Sequence, residues 1–172
     1  SSDALVLPGV GSFQSGMHGL KVRNLTNTIK EFAKSDKPIL GICLGAQLLL
    51  SKGYEFGEFE GLDIISGRVT IFPKSEEEVK MPHIGWNEIY SPADNSWDNT
   101  ILDPARQGSH VYFIHSYILS PTSHDDILAL SNYGSYEFCS AVKRGKIYGC
   151  QFHPEKSGEV GLKIIKKFID LI

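Results

Sequence analysis

The stretch Pro38-Ile39-Leu40-Gly41-Ile42-Cys43-Leu44-Gly45-Ala46-Gln47 decides the fold of this chain. Its first half is a short apolar strand, and residues 44–50 have the composition and spacing of a helix. A strand that turns into a helix at a cysteine flanked by glycines is a nucleophile elbow with cysteine in the position of serine. Side chains two positions before and after Cys43 would collide with neighbouring backbone in so tight a turn. Glycine is therefore needed at both Gly41 and Gly45.

The elbow predicts a reactive thiol at Cys43. The turn lifts the sulfur to the carboxyl end of the sheet and places it beside a helix N-terminus, whose partial positive charge favours thiolate over thiol. The alternative is that Cys43 is a small hydrophobic residue of the core. Since the chain has 17 glycines in 172 residues, glycine on both sides of a given cysteine arises by chance in roughly one case in a hundred. The pattern therefore favours a nucleophile.

A thiol nucleophile needs a base, and one of the six histidines is suitably placed. His153 follows the predicted strand 147–152, at the kind of strand end where sites form in open α/β sheets. Pro154 keeps His153 extended, so Glu155 is placed to accept an imidazole N–H and to hold the tautomer that faces Cys43. The alternative is a loop histidine beside an unrelated surface glutamate.

A second glycine-containing turn, Pro8-Gly9-Val10-Gly11, ends the predicted strand 3–7. Its two glycines allow backbone N–H groups to point at a developing oxyanion, with the N–H of Leu44 as the second donor. The alternative is an ordinary turn between a strand and a helix. A Walker-type phosphate loop is excluded, because no Gly-Lys-Ser/Thr sequence follows.

Along the rest of the chain, the predicted elements change from alternating strands and helices to mostly strands. A helix over 24–35, together with the elements already described, predicts a parallel sheet with crossover helices. The C-terminal helix after Ser157 carries an apolar stripe that we interpret as facing the core. The stripe consists of Leu162, Ile165, Phe168, Ile169 and Ile172. Further strands are predicted at 67–72, 84–90, 111–119, 127–131, 139–143 and 147–152. A solvated loop is predicted at Glu76-Glu77-Glu78.

The length of the chain predicts one globular domain, because 172 residues correspond to roughly one domain of average size. Hydrophobic residues make up 41% and charged residues 22%, as in ordinary globular proteins. The sequence contains no run of 18 or more apolar residues, so no membrane-spanning helix is predicted. Seventeen basic and twenty acidic residues give a net charge of −3, which argues against a nucleic-acid partner. Three cysteines without a CxxC pair indicate a reducing compartment, the cytoplasm, and neither a disulfide framework nor a structural zinc site.

The motifs GICLGAQ (41–47), QFHPEKS (151–157) and PGVGSF (8–13) together resemble the class I, or triad, glutamine amidotransferases. The motifs MPHIGWN (81–87) and FIHSY (113–117) narrow the resemblance to the glutaminase subunits of imidazole glycerol phosphate synthases. The likeness spans residues 1–172 as a single amidotransferase domain. It implies an α/β fold, a flavodoxin-like open mixed sheet flanked by helices. Since the family carries about one more βαβ unit before the PGVG strand, we expect that this chain lacks that N-terminal unit.

The resemblance also implies roles for individual residues. It implies a catalytic triad of Cys43, His153 and Glu155, and it calls for neither a metal nor an organic cofactor. The oxyanion strand matches Gly9, Val10 and Gly11 with Leu44; the contacts to bound glutamine match Gln47, Glu55, His115, Ser116 and Tyr117; the segments that face a partner subunit match Trp86 and Lys156.

The implied activity is hydrolysis of the side-chain amide of glutamine through a cysteine thioester. The ammonia would pass through a channel into a (β/α)₈-barrel synthase partner in a heterodimer, for imidazole glycerol phosphate formation in histidine biosynthesis. A paralogous glutaminase subunit that feeds surface-sugar amidation, another cysteine hydrolase on a related sheet, and a non-catalytic subunit remain alternatives. His-Pro-Glu together with Gln47 fits a glutamine pocket better than a peptide cleft. No membrane partner is expected.

Overall fold

A nine-stranded mixed sheet dominates the part of the chain that the computed structural model describes, residues 2–73, 79–92 and 97–172. The predicted loop Glu76-Glu77-Glu78 lies outside the described residues. The helices are α1 (Phe13–Val22), α2 (Leu25–Ala33), α3 (Leu44–Leu48) and α4 (Gly158–Ile169). The strands are β1 (Leu5–Leu7), β2 (Ile39–Ile42), β3 (Leu50–Gly53), β4 (Phe59–Glu60), β5 (Ile65–Ile71), β6 (His83–Ile89), β7 (Ser109–His115), β8 (Tyr117–Pro121), β9 (Ile127–Tyr133), β10 (Tyr136–Arg144) and β11 (Ile147–Cys150).

The strand order of this sheet is β1-β2-β11-β10-β8-β5-β3-β4, with β9 paired to β10. At one end, β1, β2 and β11 run parallel, whereas β10, β8 and β9 join in antiparallel fashion. Strands β6 and β7 form a separate antiparallel ribbon, which an isolated bridge between Tyr90 and Leu130 connects to β9. The open mixed sheet flanked by helices confirms the predicted fold class.

Two hydrophobic cores lie on the two faces of the sheet, as the alternation of side chains along β2 shows. Ile39 packs with α1, α2 and α3 in one core, and its neighbour Leu40 packs in the other with the ribbon and α4. Strand β2 is buried along its whole length. The site described below forms where this buried strand ends.

Two of the sequence predictions miss a boundary between elements. The predicted strand 111–119 is in fact β7 and β8, because the chain leaves the ribbon at Ser116 and enters the main sheet. No glycine or proline marks this change of sheet, and the alternating pattern continues through it. The predicted helix 44–50 stops at Leu48, and Leu50 already begins β3.

Helix α1 was not predicted, although it has a recognisable start. The hydroxyl of Ser12 accepts a hydrogen bond from the N–H of Ser15 at 3.2 Å, as an N-cap does. Gly16 and Gly19 weaken the helical pattern in the sequence. A Cβ on Gly16 would lie 3.0 Å from Leu48, so this glycine lets α1 approach α3 closely.

The predicted core stripe of α4 is largely wrong. Leu162, Ile169 and Ile172 are more than half exposed, and the residues that α4 buries are Gly161, Ile164 and Phe168. Gly161 sets this orientation, because a Cβ there would lie 1.9 Å from the carbonyl oxygen of Pro154. The sequence cannot display a close backbone approach, and the apolar residues of α4 occupy an arc wide enough to allow either face.

The turn from β2 into α3 confirms the steric argument made for the elbow. A Cβ on Gly45 would lie 1.7 Å from the carbonyl oxygen of Leu7, and a Cβ on Gly41 would lie 2.7 Å from the backbone nitrogen of Ala46. Cys43 itself has φ 53° and ψ −109°, a conformation that residues other than glycine rarely adopt. The surrounding backbone therefore holds Cys43 in a strained geometry.

We predict that Gly45→Ala lowers the free energy of unfolding by about 3 kcal/mol or more, because backbone must move to admit the methyl group. Urea denaturation measures this loss. Gly19→Ala is the matched control: it lies within α1, and its Cβ meets only the end of the flexible Arg23 side chain. It should be neutral or stabilising by up to about 1 kcal/mol. Equal effects of the two substitutions would contradict the elbow argument.

Candidate active site

Parallel pairing of β2 and β11 brings Cys43 and His153 to the same edge of the sheet. Ile42 lies opposite Cys150 in register, and β2 and β11 both end at these residues. The N–H of Cys43 donates to the carbonyl of Cys150 at 2.8 Å, which ties the elbow to β11. Cys43 and His153 both line a cavity of about 440 Å³. A larger cavity of about 740 Å³ beside α1 and β4 contains no cysteine.

The imidazole of His153 is oriented by Glu155, as the sequence predicted. Nδ1 of His153 lies 2.7 Å from Oε1 of Glu155. Since a carboxylate only accepts hydrogen bonds, Nδ1 carries the proton and Nε2 has the lone pair of a base. This Nε2 is buried and has no hydrogen-bond partner within the described part of the chain. An unpaired acceptor on a residue that lines the same cavity as a thiol is suited to take the proton of that thiol.

Ser157, which the sequence analysis did not single out, anchors the backbone around His153. Its hydroxyl donates to the carbonyl of His153 at 2.6 Å and accepts from the N–H of Tyr112 at 3.0 Å. The N–H of His153 donates to the carbonyl of Tyr112 at 2.9 Å. The ribbon strand β7 therefore helps to position the base. A serine four residues after a histidine is too common a pattern to have revealed this.

The electrostatics of Cys43 differ from the expectation of a thiolate. Burial raises the pKa of the Cys43 thiol to about 11, although a hydrogen bond from the backbone N–H of Leu44 lowers that pKa in part. The negative charge of Glu155 raises the pKa further, and the positive charge of Lys156 lowers it. Helix α3 has five residues, and so short a helix supplies little dipole. Cys43 is therefore a neutral thiol at rest.

One of the backbone donors expected to form an oxyanion hole, the N–H of Leu44, is already occupied. The N–H of Leu44 donates to the carbonyl of Gly9 at 3.3 Å, so this carbonyl stands where a substrate oxygen would bind. Val10 is 79% exposed, and Gly11 has φ 103°, a conformation natural only to glycine. The strand and the donor are adjacent, as predicted, but the hole is closed by the strand's own carbonyl.

The side chains expected to contact glutamine all line the same cavity: Gln47, Glu55, His115, Ser116 and Tyr117. Glu55 is held by the start of α1, because its Oε2 accepts from the N–H of Phe13 at 2.7 Å. Anchoring one carboxylate oxygen in this way leaves the charge of Glu55 facing a cavity that also holds the sulfur. A bound cation such as an ammonium group would be stabilised there.

A second buried histidine, His83, contacts His115 and was not predicted as part of the site. Nδ1 of His83 lies 3.1 Å from Nε2 of His115, whose Nδ1 lies 2.9 Å from the carbonyl of Tyr117. Burial lowers the pKa of His83 to about 4 and that of His115 to about 3. Both rings are neutral near pH 7. The motif 81–87 contained the signal, but one strand histidine in a sequence cannot show that it faces another.

Exposed apolar side chains surround the mouth of the cavity. We call them the apolar collar. Val10, Phe56, Ile71 and Ile114 line the cavity, Ile84 lies opposite Ile114 in the ribbon, and Trp86 lies two residues further along the same face of β6. Lys156, next to Glu155, is also exposed. The two residues predicted to face a partner therefore lie on the surface near the site.

Within residues 2–73, 79–92 and 97–172, no cluster of three or more His, Cys, Asp or Glu side chains is arranged to hold a metal ion. None of the helices in these ranges is both long and apolar enough to cross a membrane. The groups that line the cavity include a thiol, two imidazoles and the carboxylate of Glu55, and Glu155 contacts one of these imidazoles from behind.

The buried neutral rings of His83 and His115 make the folded chain less stable at acidic pH. Below about pH 6.5 the unfolded chain binds protons at His83 and His115 that the folded chain does not bind, so the free energy of unfolding falls as the pH falls towards 4. We predict that His83→Phe, which keeps an aromatic ring in place, reduces this fall. Urea titrations at several pH values measure it, with His18→Phe as the control for loss of an exposed histidine. A slope unchanged by His83→Phe would contradict a neutral buried ring.

This chain is similar to known proteins over nearly its whole length. The family model described as glutamine amidotransferase class-I matches residues 2–171. The imidazole glycerol phosphate synthase subunit HisH 1 of Legionella pneumophila (strain Paris) is 48% identical, covering 99% of this chain and 82% of that protein. The HisH subunit of Methanosarcina barkeri is 47% identical, covering 99% of this chain and 81% of that protein.

The likeness extends to solved structures at lower identity. A crystal structure of a glutamine amidotransferase superposes with a TM-score of 0.69 at 17% identity and covers 98% of this chain and 78% of that chain. At this identity the likeness concerns the fold alone. The family model covers nearly the whole chain, and the two HisH relatives share almost half of its residues. This chain belongs to the class I glutamine amidotransferase family.

Proposed function

We propose that this chain hydrolyses the side-chain amide of glutamine to glutamate and ammonia, with Cys43 as nucleophile. His153 is the acid–base catalyst, and Glu155 orients it. One observation carries the proposal: the Cys43 thiol and the unpaired Nε2 of His153 line one cavity, while Nδ1 of His153 is bound to Glu155. Residues 1–172 act as a single amidotransferase domain, a proposal that the match to residues 2–171 supports.

The reaction begins with transfer of the Cys43 proton to Nε2 of His153. Because burial disfavours an isolated thiolate, the imidazolium forms together with it, and Glu155 stabilises that positive charge. The sulfur attacks the carboxamide carbon of glutamine, and His153 returns the proton to the departing ammonia. Water, activated by His153, then attacks the γ-glutamyl thioester and releases glutamate, which restores the thiol.

The cavity supplies groups suited to glutamine. Glu55 offers a carboxylate for the α-ammonium group, and its anchor at the N-terminus of α1 keeps it in place. Gln47, Ser116 and Tyr117 provide neutral polar atoms for the carboxamide and the α-carboxylate, and His115, whose ring nitrogens are paired, lines the cavity beside them. Since both charged ends of an amino acid need partners, this mixture fits glutamine better than an extended peptide.

The apolar collar supports delivery of ammonia to a partner subunit. Four exposed apolar side chains that line one cavity, with two more on the adjoining ribbon, are costly in water and are typical of an interface. The relatives from Legionella and Methanosarcina are named as subunits of imidazole glycerol phosphate synthase. We infer a heterodimer with a (β/α)₈-barrel synthase subunit in the cytoplasm, which receives ammonia for histidine biosynthesis. The names of these relatives favour this acceptor over surface-sugar amidation.

The closed oxyanion hole supports regulation by that partner. The Gly9 carbonyl must leave the N–H of Leu44 before the N–H can stabilise an oxyanion. Val10, next to Gly9, belongs to the apolar collar and would be covered by the partner. Docking is therefore placed to reorient the peptide between Gly9 and Val10, and Gly11 gives the strand the freedom to do so.

We predict that Cys43→Ala abolishes glutamate release from glutamine in the presence of the partner subunit, with a fall in kcat of at least about 10⁴-fold. A coupled glutamate dehydrogenase assay measures this rate. Cys139→Ala is the matched control, since Cys139 is a buried thiol that does not line the cavity. Its rate should stay near that of the wild type. Activity that survives Cys43→Ala would overturn the proposal.

We also predict that the partner raises the glutaminase rate, because the oxyanion hole is closed in the isolated chain. The loss of one oxyanion donor lowers kcat by about 10²- to 10³-fold in other hydrolases, and the activation should be of that order. The measurement compares glutamate release with and without the barrel subunit. Equal rates would show that the Gly9 carbonyl does not control the hole.

A further inference from the structure

The carbonyl oxygen of Tyr117 lies at the junction of two buried lines of hydrogen bonds. Nδ1 of His115 lies 2.9 Å from this oxygen, and Nε2 of Gln47 lies 3.4 Å from it. A carbonyl can only accept, so both partners must donate to it. This one constraint sets the tautomer of His115 and the orientation of the Gln47 amide.

The first line runs from Tyr117 to the ribbon. Because Nδ1 of His115 carries the proton, its Nε2 is an acceptor, and the neighbouring Nδ1 of His83 must donate to it at 3.1 Å. Nε2 of His83 is then an acceptor as well, and Nδ2 of Asn87 lies 3.5 Å away. The same nitrogen of Asn87 donates to the carbonyl of Asn132 on β9 at 2.6 Å. Both rings take part as neutral imidazoles.

The second line runs from Tyr117 to the nucleophile. Nε2 of Gln47 also donates to Oε1 of Gln151 at 3.1 Å, so the amide of Gln151 must present its Nε2 on the other side. That Nε2 lies 3.8 Å from Sγ of Cys43 and donates to it. Gln151 is fully buried. The Tyr117 carbonyl therefore fixes the amide of Gln47, and Gln47 in turn fixes the amide of Gln151 with its N–H towards the Cys43 sulfur.

We propose that Gln151 is a positioning residue for the Cys43 sulfur, and that Gln47, Tyr117, His115 and His83 form the buried relay that keeps its N–H directed at that atom. The proposal rests on Cys43 being the nucleophile. An N–H donor stabilises a thiolate more than a thiol, so the relay assists formation of the thiolate during proton transfer to His153. The two histidines act by fixing the Tyr117 carbonyl: Nδ1 of His115 donates to it, and Nδ1 of His83 holds the other side of the His115 ring.

The other ionisable groups around the sulfur act differently from Gln151. His153 accepts the thiol proton, Glu155 disfavours the thiolate, and Lys156 favours it. Glu55 and His115 line the same cavity, and Cys150 contributes only its carbonyl to the N–H of Cys43. A change at Gln151 leaves all of these groups in place, so its effect on the sulfur can be measured separately.

The first experiment measures the rate at which iodoacetamide alkylates Cys43 between about pH 6 and pH 10, below the raised pKa of this thiol, where the rate follows its small thiolate fraction. Gln151→Met is uncharged and of similar length, and it cannot donate to sulfur, so it removes the hydrogen bond without adding a charge beside Cys43. We expect alkylation at neutral pH to fall about tenfold or more, with the pH profile displaced upward. Ser140→Ala, beside Gln151 and with an unpaired buried hydroxyl, is the matched control. Cys43→Ala gives the background from the other two thiols.

The second experiment separates hydrogen bonding from packing at His83. His83→Phe keeps a ring stacked between Phe113 and Tyr133 but removes the donor to His115. His83→Asn loses the ring, but its amide N–H can take the place of the ring Nδ1–H. We expect the Phe variant to be alkylated several-fold more slowly than the wild type and the Asn variant to recover most of the rate. A role in packing alone predicts the reverse order.

Each outcome of these two experiments either supports the role of Gln151 or overturns it. A pH profile for Gln151→Met that coincides with the wild type would overturn the proposal, as would a faster Phe than Asn variant at His83. If Gln151→Met does not fold, the order of the two His83 variants still decides. Failure of the glutaminase assignment would instead appear as glutamate release by Cys43→Ala, and it would leave the alkylation results unchanged.

Discussion

The carbonyl oxygen of Leu7 lies so close to Gly45 that a Cβ there would be 1.7 Å from it. This contact between β1 and the start of α3 places the turn after β1 directly beside the elbow. It therefore determines both where the sulfur stands and which backbone groups surround it. The Gly9 carbonyl reaches the N–H of Leu44 for the same reason. The nucleophile and the strand that closes its oxyanion hole are two results of one close approach.

Burial and reactivity oppose each other at Cys43. The sulfur must be enclosed so that glutamine, and not bulk water, reaches it, but enclosure raises the pKa of the thiol to about 11. The short helix α3 cannot offset this rise in pKa. The positive charge of Lys156, which lowers the pKa, is opposed by the negative charge of Glu155, which raises it. Proton transfer to His153 and a hydrogen bond from Gln151 both act at the moment when the thiolate forms. A thiol that ionises only with its partners present is protected while no substrate is bound.

Strand β6 connects the surface and the interior of this site. Ile84 and Trp86 point to the solvent side of the ribbon, whereas His83 is buried and Asn87 donates to the neighbouring β9. Because successive side chains of a strand face opposite directions, one short strand carries both the apolar collar and the first members of the relay. A partner that covers the collar would therefore press on the strand that holds His83. Surface docking and sulfur positioning share a single element.

The sequence alone determined the elements whose chemistry is local. The glycine spacing around Cys43, the apolar run of β2 and the His-Pro-Glu turn each state a steric or electronic requirement within a few residues. These patterns were enough to predict parallel strands with crossover helices, the position of Cys43 and His153 at one end of the sheet, and the Glu155 contact, whereas the open mixed sheet followed from the family resemblance. The tertiary structure decided what depends on distant atoms. The buried face of α4, the change of sheet at Ser116, the closed oxyanion hole and the raised pKa of Cys43 all result from contacts between segments far apart in the chain. The orientation of Gln151 is set by a carbonyl 34 positions away, and such a constraint exists only after the backbone has folded around it.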